Sequence, residues 1–137
     1  MSTVKKKLAS PTRMPCPLAS SLDIIGDKWS LLVIRDLFFG KKTFGEFQKS
    51  PEHIPSNILA ERLKRLEASG IIDKTAYQQR PVRYAYILTE KGKDLGTVMK
   101  AMVDWGNKHI PGTYSFDDIQ KMMEQARAKK INDTGSD

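Results

Sequence analysis

Asn57, Glu61, Lys64 and Arg65 recur at helical spacing, so that an amide, a carboxylate and two cations fall on one side of a helix. That set can read the edges of bases. An amide suits adenine, a carboxylate accepts from the cytosine amine, and cations suit guanine or phosphate. A solvated face with Glu61 and Arg65 as an ordinary i,i+4 pair, worth about 0.3–0.5 kcal/mol, is the plainer reading of this segment alone. Its surroundings weigh against that reading. Arg80 and Arg83 flank the tip of a hairpin that follows at once, with Lys74 on the incoming strand, where a basic tip can reach sugar-phosphate or the minor groove. Lys41, Lys42 and Thr43 precede another helix, whose exposed amides and dipole favour a phosphate; Thr43 can equally serve as a plain cap.

These residues need a scaffold, and the chain supplies one. Pro17 can open a first helix, LASSLDII, which Gly26 stops. The second, about Lys28–Phe39, is apolar around much of its circumference and should form the buried centre. Thr43-Phe44-Gly45-Glu46 has capping-box spacing and opens a short third helix ending near Pro51. Pro55 or Ser56 begins the fourth, which buries Leu59, Leu63 and Leu66 and stops at Gly70. Ile71–Tyr77 and Val82–Leu88 read as strands joined by Gln78–Pro81. Thr89 caps a long helix to about His109, broken by Pro111-Gly112, and Ser115 caps a last one with Arg127, Lys129 and Lys130 near its end. The expected fold is mainly α with a small β-hairpin, a winged helix-turn-helix with added N- and C-terminal helices for dimerisation. Residues 1–13 read as a flexible basic arm, 14–112 as the winged-helix domain with its long helix, 113–131 as a C-terminal amphipathic helix and 132–137 as a disordered tail.

Composition narrows the function. A chain of 137 residues with 39% hydrophobic content can bury an ordinary core, and its apolar runs are too short to span a bilayer. No signal-peptide pattern follows Lys5, Lys6 and Lys7, so a cytoplasmic location is expected. The net charge of +7 favours a polyanionic partner. One cysteine excludes an intrachain disulfide, and with only His53 and His109 beside it a metal site is poorly supplied, so no metal and no cofactor are expected. Asp23, Asp27 and Asp36 fall on core-forming segments without a partner histidine, and no nucleophile–base set or phosphate-cradling loop is evident. An enzyme is not expected.

With these residues in hand, the chain resembles the HxlR-type branch of the MarR-like winged-helix transcription regulators. The matching pieces are Cys16-Pro17-Leu18, Ile25-Gly26-Asp27-Lys28-Trp29, Phe44-Gly45-Glu46-Phe47, Asn57–Leu63, Leu66–Ile71, Tyr84–Gly92 and Asp104-Trp105, spread over about Met14–His109. The resemblance implies a homodimer on a palindromic operator, placing recognition helices in successive major grooves about 34–36 Å apart. It assigns the recognition role to Ser56, Asn57, Glu61, Arg62, Lys64 and Arg65, and the wing role to Arg80 and Arg83. Pro55 departs from the serine with which many members begin this helix.

A dimer is also expected from the residues themselves. Leu95, Val98, Met99, Met102, Val103 and Trp105 spread over a wide arc of the long helix, and Phe116, Ile119 and Met123 form a stripe on the last. Leu18 and Leu22 of the first helix join this candidate interface; packing of these helices within one chain is the alternative. Cys16, at the start of the first helix, sits where exposed amides stabilise a thiolate. The resemblance implies sensing of oxidants or electrophiles there, against the plain reading of a small half-buried residue. A repressor on double-stranded DNA, with a small-molecule or oxidant effector and no membrane partner, is the expectation; a protein-interaction module on the same scaffold is the alternative.

Overall fold

The computed structural model describes residues 15–135, and residues 130–135 through their backbone only. The expected arm and the last two residues of the expected tail lie outside the described residues. Among the described residues, seven helices and a hairpin follow in the order α1 (Pro17–Ile25), α2 (Ser30–Phe38), α3 (Phe44–Gln48), α4 (Ser56–Ala68), β1 (Ile72–Gln79), β2 (Val82–Leu88), α5 (Glu90–Lys93), α6 (Leu95–His109) and α7 (Phe116–Gly135). The chain is mostly helical with a two-stranded antiparallel hairpin, as its periodicity indicates.

The core lies where α2, α3, α4 and the base of the hairpin meet: Val33, Ile34, Leu37, Phe47, Leu59, Leu63, Leu66, Ile71 and Ile72 are all buried. The inner stripe of α4 thus follows its leucine spacing. Asp27 sets the start of α2. Its carboxylate accepts from the amides of Trp29 and Ser30 at 3.0 Å each, and the α-helix itself begins at Ser30, two residues after Lys28. At α3 the capping box is complete, with the Glu46 amide donating to Thr43 Oγ1 and the Glu46 carboxylate accepting from the Thr43 amide.

The strands pair from Ile72↔Leu88 to Gln79↔Val82, with an irregularity between Ala76 and Gln78, so the tip is only Arg80-Pro81. A third segment joins the ribbon: Thr43 bridges Ala85, and the Tyr86 amide donates to the Lys42 carbonyl at 2.8 Å. The start of α3 is thereby stitched to the hairpin.

Two expectations change. The long helix from Thr89 is divided into α5 and α6 at Asp94. Thr89 does cap, through the Gly92 amide, but glycines at 92 and 96 flank the division and weaken helix there. Gly92 is buried so close to the Ile71 carbonyl that a Cβ would lie 2.2 Å from that oxygen. At the other end, α7 continues through Gly135, beyond the boundary expected at 131, so Arg127 and Lys129 lie well inside it. Its first turn is capped as expected, with the Asp118 amide donating to Ser115 Oγ.

Candidate nucleic-acid interface

On α4 the surface away from the leucines carries Ser56, Asn57, Ala60, Glu61, Lys64, Arg65 and Ala68, all exposed. Among the described residues, the side chains of Asn57 and Lys64 have no hydrogen bond or ion pair, so their donors are available to a ligand. Ser56 accepts from Gln48 Nε2 at 2.9 Å, linking α3 to the first turn of α4. Glu61 is held by Arg62 beside it and by Arg65 at 3.4 Å, which occupies much of its accepting capacity. Ala60 lies between Asn57 and Lys64 on this face, a position that charge and polarity do not flag because a methyl group carries no polar signal. A methyl there matches the thymine C5-methyl.

Arg62 lies at the edge of this face. Its side chain turns toward the α1–α2 junction, where Nε donates to Asp27 Oδ2 at 2.7 Å, and only 18% of it is exposed. Spacing alone could not settle this, because Arg62 sits at the border between the inner and outer faces. Asp27 is therefore a hub. It caps α2, accepts from Ser30 Oγ at 2.5 Å and holds both Arg62 and, at 3.4 Å, Arg65. Burial raises its carboxyl pKa, but the hydrogen bonds from Ser30, Arg62 and the two amides outweigh that and hold it well below the usual carboxylate range.

Lys41 also has partners within the chain. Its ammonium donates to Ser50 Oγ at 2.8 Å and lies 4.0 Å from buried Asp36, so it belongs to a polar cluster beneath the turn that leads into α4. In the same cluster Asp36 accepts from Ser50 Oγ, and Arg35 grips Glu52 with two bonds of 2.7 Å. The Arg35 hydrogen bonds outweigh burial and bring the Glu52 carboxyl down to about 2. Asp36 standing in an apolar run is the one trace of this cluster in the chain's pattern. Lys42, by contrast, is exposed at the start of α3, and Thr43 is occupied as the cap.

Arg80 and Arg83 are exposed at the tip of the ribbon, as expected. Lys74 is not part of that tip: it pairs with Glu67 at 3.5 Å and lies 4.4 Å from the centre of the Tyr84 ring.

A helix with an open polar face, a short capped helix before it and a basic ribbon after it form the winged helix-turn-helix arrangement. The chain belongs to the HxlR-like helix-turn-helix family. Residues 24–114 match that family, which takes in α2 through α6 and both strands. Over 94 residues the chain is 42% identical to the HTH-type transcriptional regulator YdeP of Bacillus subtilis, covering 69% of this chain and 73% of that one. It is 34% identical over 123 residues to YybR, an HTH-type transcriptional regulator of the same organism, covering 88% and 98%. Its structure is similar to the oxidised form of the redox regulator HypR, with a TM-score of 0.62 and 36% identity, covering 69% of this chain and 97% of that one. The protein is thus a helix-turn-helix transcription regulator and not an enzyme. Among the described residues, no helix is long and apolar enough to cross a membrane.

The expected dimer residues separate into two groups. Leu18, Leu22, Val98, Met102 and Trp105 are exposed, at 68%, 55%, 43%, 56% and 63%. Leu95 and Met99 instead pack against the core of their own chain, and Val103, Phe116, Ile119 and Met123 line a cavity within it. For these six, intrachain packing accounts for much of the apolar stripe. Cys16 is half-buried at the N-cap of α1, where its carbonyl accepts from the Ser20 amide at 2.9 Å and its thiol makes no capping bond.

Proposed function

We propose that the protein is a homodimeric repressor that places α4 of each copy in a major groove of a palindromic operator. Asn57, Ala60, Glu61, Lys64 and Arg65 would face the bases, with Ser56 at the phosphate rim. Lys42 would neutralise a phosphate beside α3, and Arg80 and Arg83 would grip the flanking backbone or minor groove. Arg62 and Lys41 are left out, since each is spent on an internal acid. The observation that carries the reading is the exposed face of α4 on which the side chains of Asn57 and Lys64 have no partner, flanked by a basic ribbon.

Dimerisation is supported by the exposed large apolar side chains on α1 and α6, whose burial against a second copy would remove them from water. Fluorescence anisotropy with a labelled duplex from the gene's own upstream region tests the assignment, read alongside sedimentation of the free protein. Saturable binding that weakens steeply with salt is expected. Monomeric protein, or affinity no greater for that duplex than for scrambled DNA, would overturn it.

Cys16 is the proposed oxidant- or electrophile-responsive group. Its place at a helix N-cap and the likeness to a redox regulator support this. An added diazene such as diamide would take two electrons and two protons from a pair of Cys16 thiols and leave a disulfide between copies. Operator affinity should change on treatment in wild type and not in Cys16→Ser; equal responses would remove the thiol from the mechanism.

A further inference from the structure

Two acids and two arginines close a ring at the middle of α4. Arg62 bonds both Glu61 and Asp27, the latter at 2.7 Å. Arg65 spans the same two acids, with Nη1 3.4 Å from Glu61 Oε1 and Nη2 3.4 Å from Asp27 Oδ1. Both terminal nitrogens of Arg65 therefore face an acid. Both oxygens of Glu61 face a cation, Oε2 toward Arg62 and Oε1 toward Arg65. The ring balances its own charge.

This pairing divides the outer face of α4 by base chemistry. A guanidinium grips guanine through O6 and N7 with two of its donors, and a carboxylate accepts from the cytosine amine. The groups suited to those tasks, Arg65 and Glu61, are engaged with each other and with the rest of the ring. An amide suits the N6 and N7 of adenine, and a methyl group suits the C5-methyl of thymine. The groups suited to these, Asn57 and Ala60, are exposed, and the Asn57 side chain has no partner among the described residues. Exchange is uphill for the ring. A charge-assisted hydrogen bond is roughly twice as strong as a neutral one, and base edges offer only neutral partners. Drawing Arg65 onto a guanine would also leave Glu61 less neutralised beside the phosphates.

We propose that the half-site read by α4 has an A·T core, in which Asn57 takes an adenine and Ala60 the methyl of a neighbouring thymine. The ring of Asp27, Glu61, Arg62 and Arg65 withholds the two groups that would otherwise select G·C. This specificity rests on the DNA-reading role proposed above and deepens it. Asn57 and Ala60 are separated by about 4.5 Å along the helix axis, against a base step of roughly 3.4 Å, so they meet adjacent pairs. Lys64 lies farther along α4, where a recognition helix leaves the groove, and its point charge meets a phosphate.

Selection of random-sequence duplexes on the full chain at physiological ionic strength, followed by sequencing, tests this. Adjacent A·T pairs should dominate each selected half-site. Base analogues in the selected duplex then assign the readers. Replacing one adenine per half-site by 7-deazaadenine, which lacks the N7 acceptor, should weaken wild-type binding about tenfold and leave Asn57→Ala indifferent. Replacing one thymine per half-site by deoxyuridine, which lacks the methyl, should weaken it about fourfold and leave Ala60→Gly indifferent. Should Ala60→Gly unfold, the wild-type deoxyuridine scan decides that contact alone. Glu61→Ala opens the ring beside Arg65 and should bring guanine into the selected half-site. Three results would overturn the assignment: G·C pairs at the core selected by wild type, a scan with no sensitive thymine, or an unchanged selection by folded Glu61→Ala. Enrichment of no sequence at all would remove the DNA-reading role itself, and the A·T readout with it.

Discussion

Arg62 on α4 and Asp27 at the α1–α2 junction face each other at 2.7 Å across a sequence separation of 35 residues, and both side chains are about four-fifths shielded from water. The pair fixes the middle of α4 against the start of α2. It also frees the outer face by turning one of its cations inward.

Asp27→Ala should therefore damage the fold before it touches any ligand. It removes the cap of α2 and leaves Arg62 without its partner, costing about 2–4 kcal/mol. Urea unfolding followed by circular dichroism checks this. Arg62→Met should likewise lower the midpoint, yet at a temperature where it is fully folded it should bind DNA nearly as well as wild type. A large affinity loss in folded Arg62→Met would return that residue to the interface.

Lys64→Ala and Arg80→Ala should do the opposite. Neither side chain supports the core, so unfolding midpoints should stay within about 0.5 kcal/mol of wild type. Each should weaken DNA binding and reduce the slope of log K against log salt by about one for each phosphate that is no longer neutralised. Titrations at several salt concentrations separate this outcome from a general loss of structure.

The exposed polar face of α4, the hairpin with arginines at its tip and the capping box are legible in the sequence because each follows a short-range rule. Leucines at helical spacing declare which side of α4 is buried, and Thr43 with Glu46 declares a helix start. Arg62 escapes such rules because its fate depends on Asp27, far away in the chain and itself readable only as an isolated acid. Lys41 escapes them for the same reason, since Ser50 and Asp36 meet it only after folding. The division of α5 from α6 leaves only the glycines at 92 and 96 as its trace in the chain, and the close approach of Gly92 to the Ile71 carbonyl is a tertiary fact with no periodic trace.

Gly92→Ala should expose that close approach. The new methyl would meet the Ile71 oxygen at 2.2 Å and Leu88 Cδ2 at 2.9 Å, so backbone must move. A loss of about 1–3 kcal/mol is expected from such overpacking, despite alanine's better helix propensity. A stability gain in thermal unfolding would show that α5 shifts freely.

Acid should weaken the fold through Asp27 and Glu52. Both have folded pKa values below their ordinary ones, because hydrogen-bonded cations and donors favour the charged form over the opposing effect of burial. Such groups contribute stability that is complete above the unfolded pKa and lost as pH falls toward the folded one. For Glu52 that window runs from its ordinary 4.5 down to about 2. Urea midpoints should hold steady between about pH 7 and 5 and then drop, and the drop should be shallower in Glu52→Gln. A midpoint that rises on acidification would contradict the pairing.

The bond from the Tyr86 amide to the Lys42 carbonyl, with the Thr43–Ala85 bridge beside it, makes the ribbon continuous with the entry to α3. A hairpin fastened at the middle of β2 in this way resists swinging on its own. Its arginine-bearing end and the open side of α4 then keep a constant stagger, like two prongs of one comb. On the DNA-binding mode proposed above, the width of duplex that a single copy straddles would be a property of the scaffold, and targets differing in that width would be told apart by how much they must bend to fit.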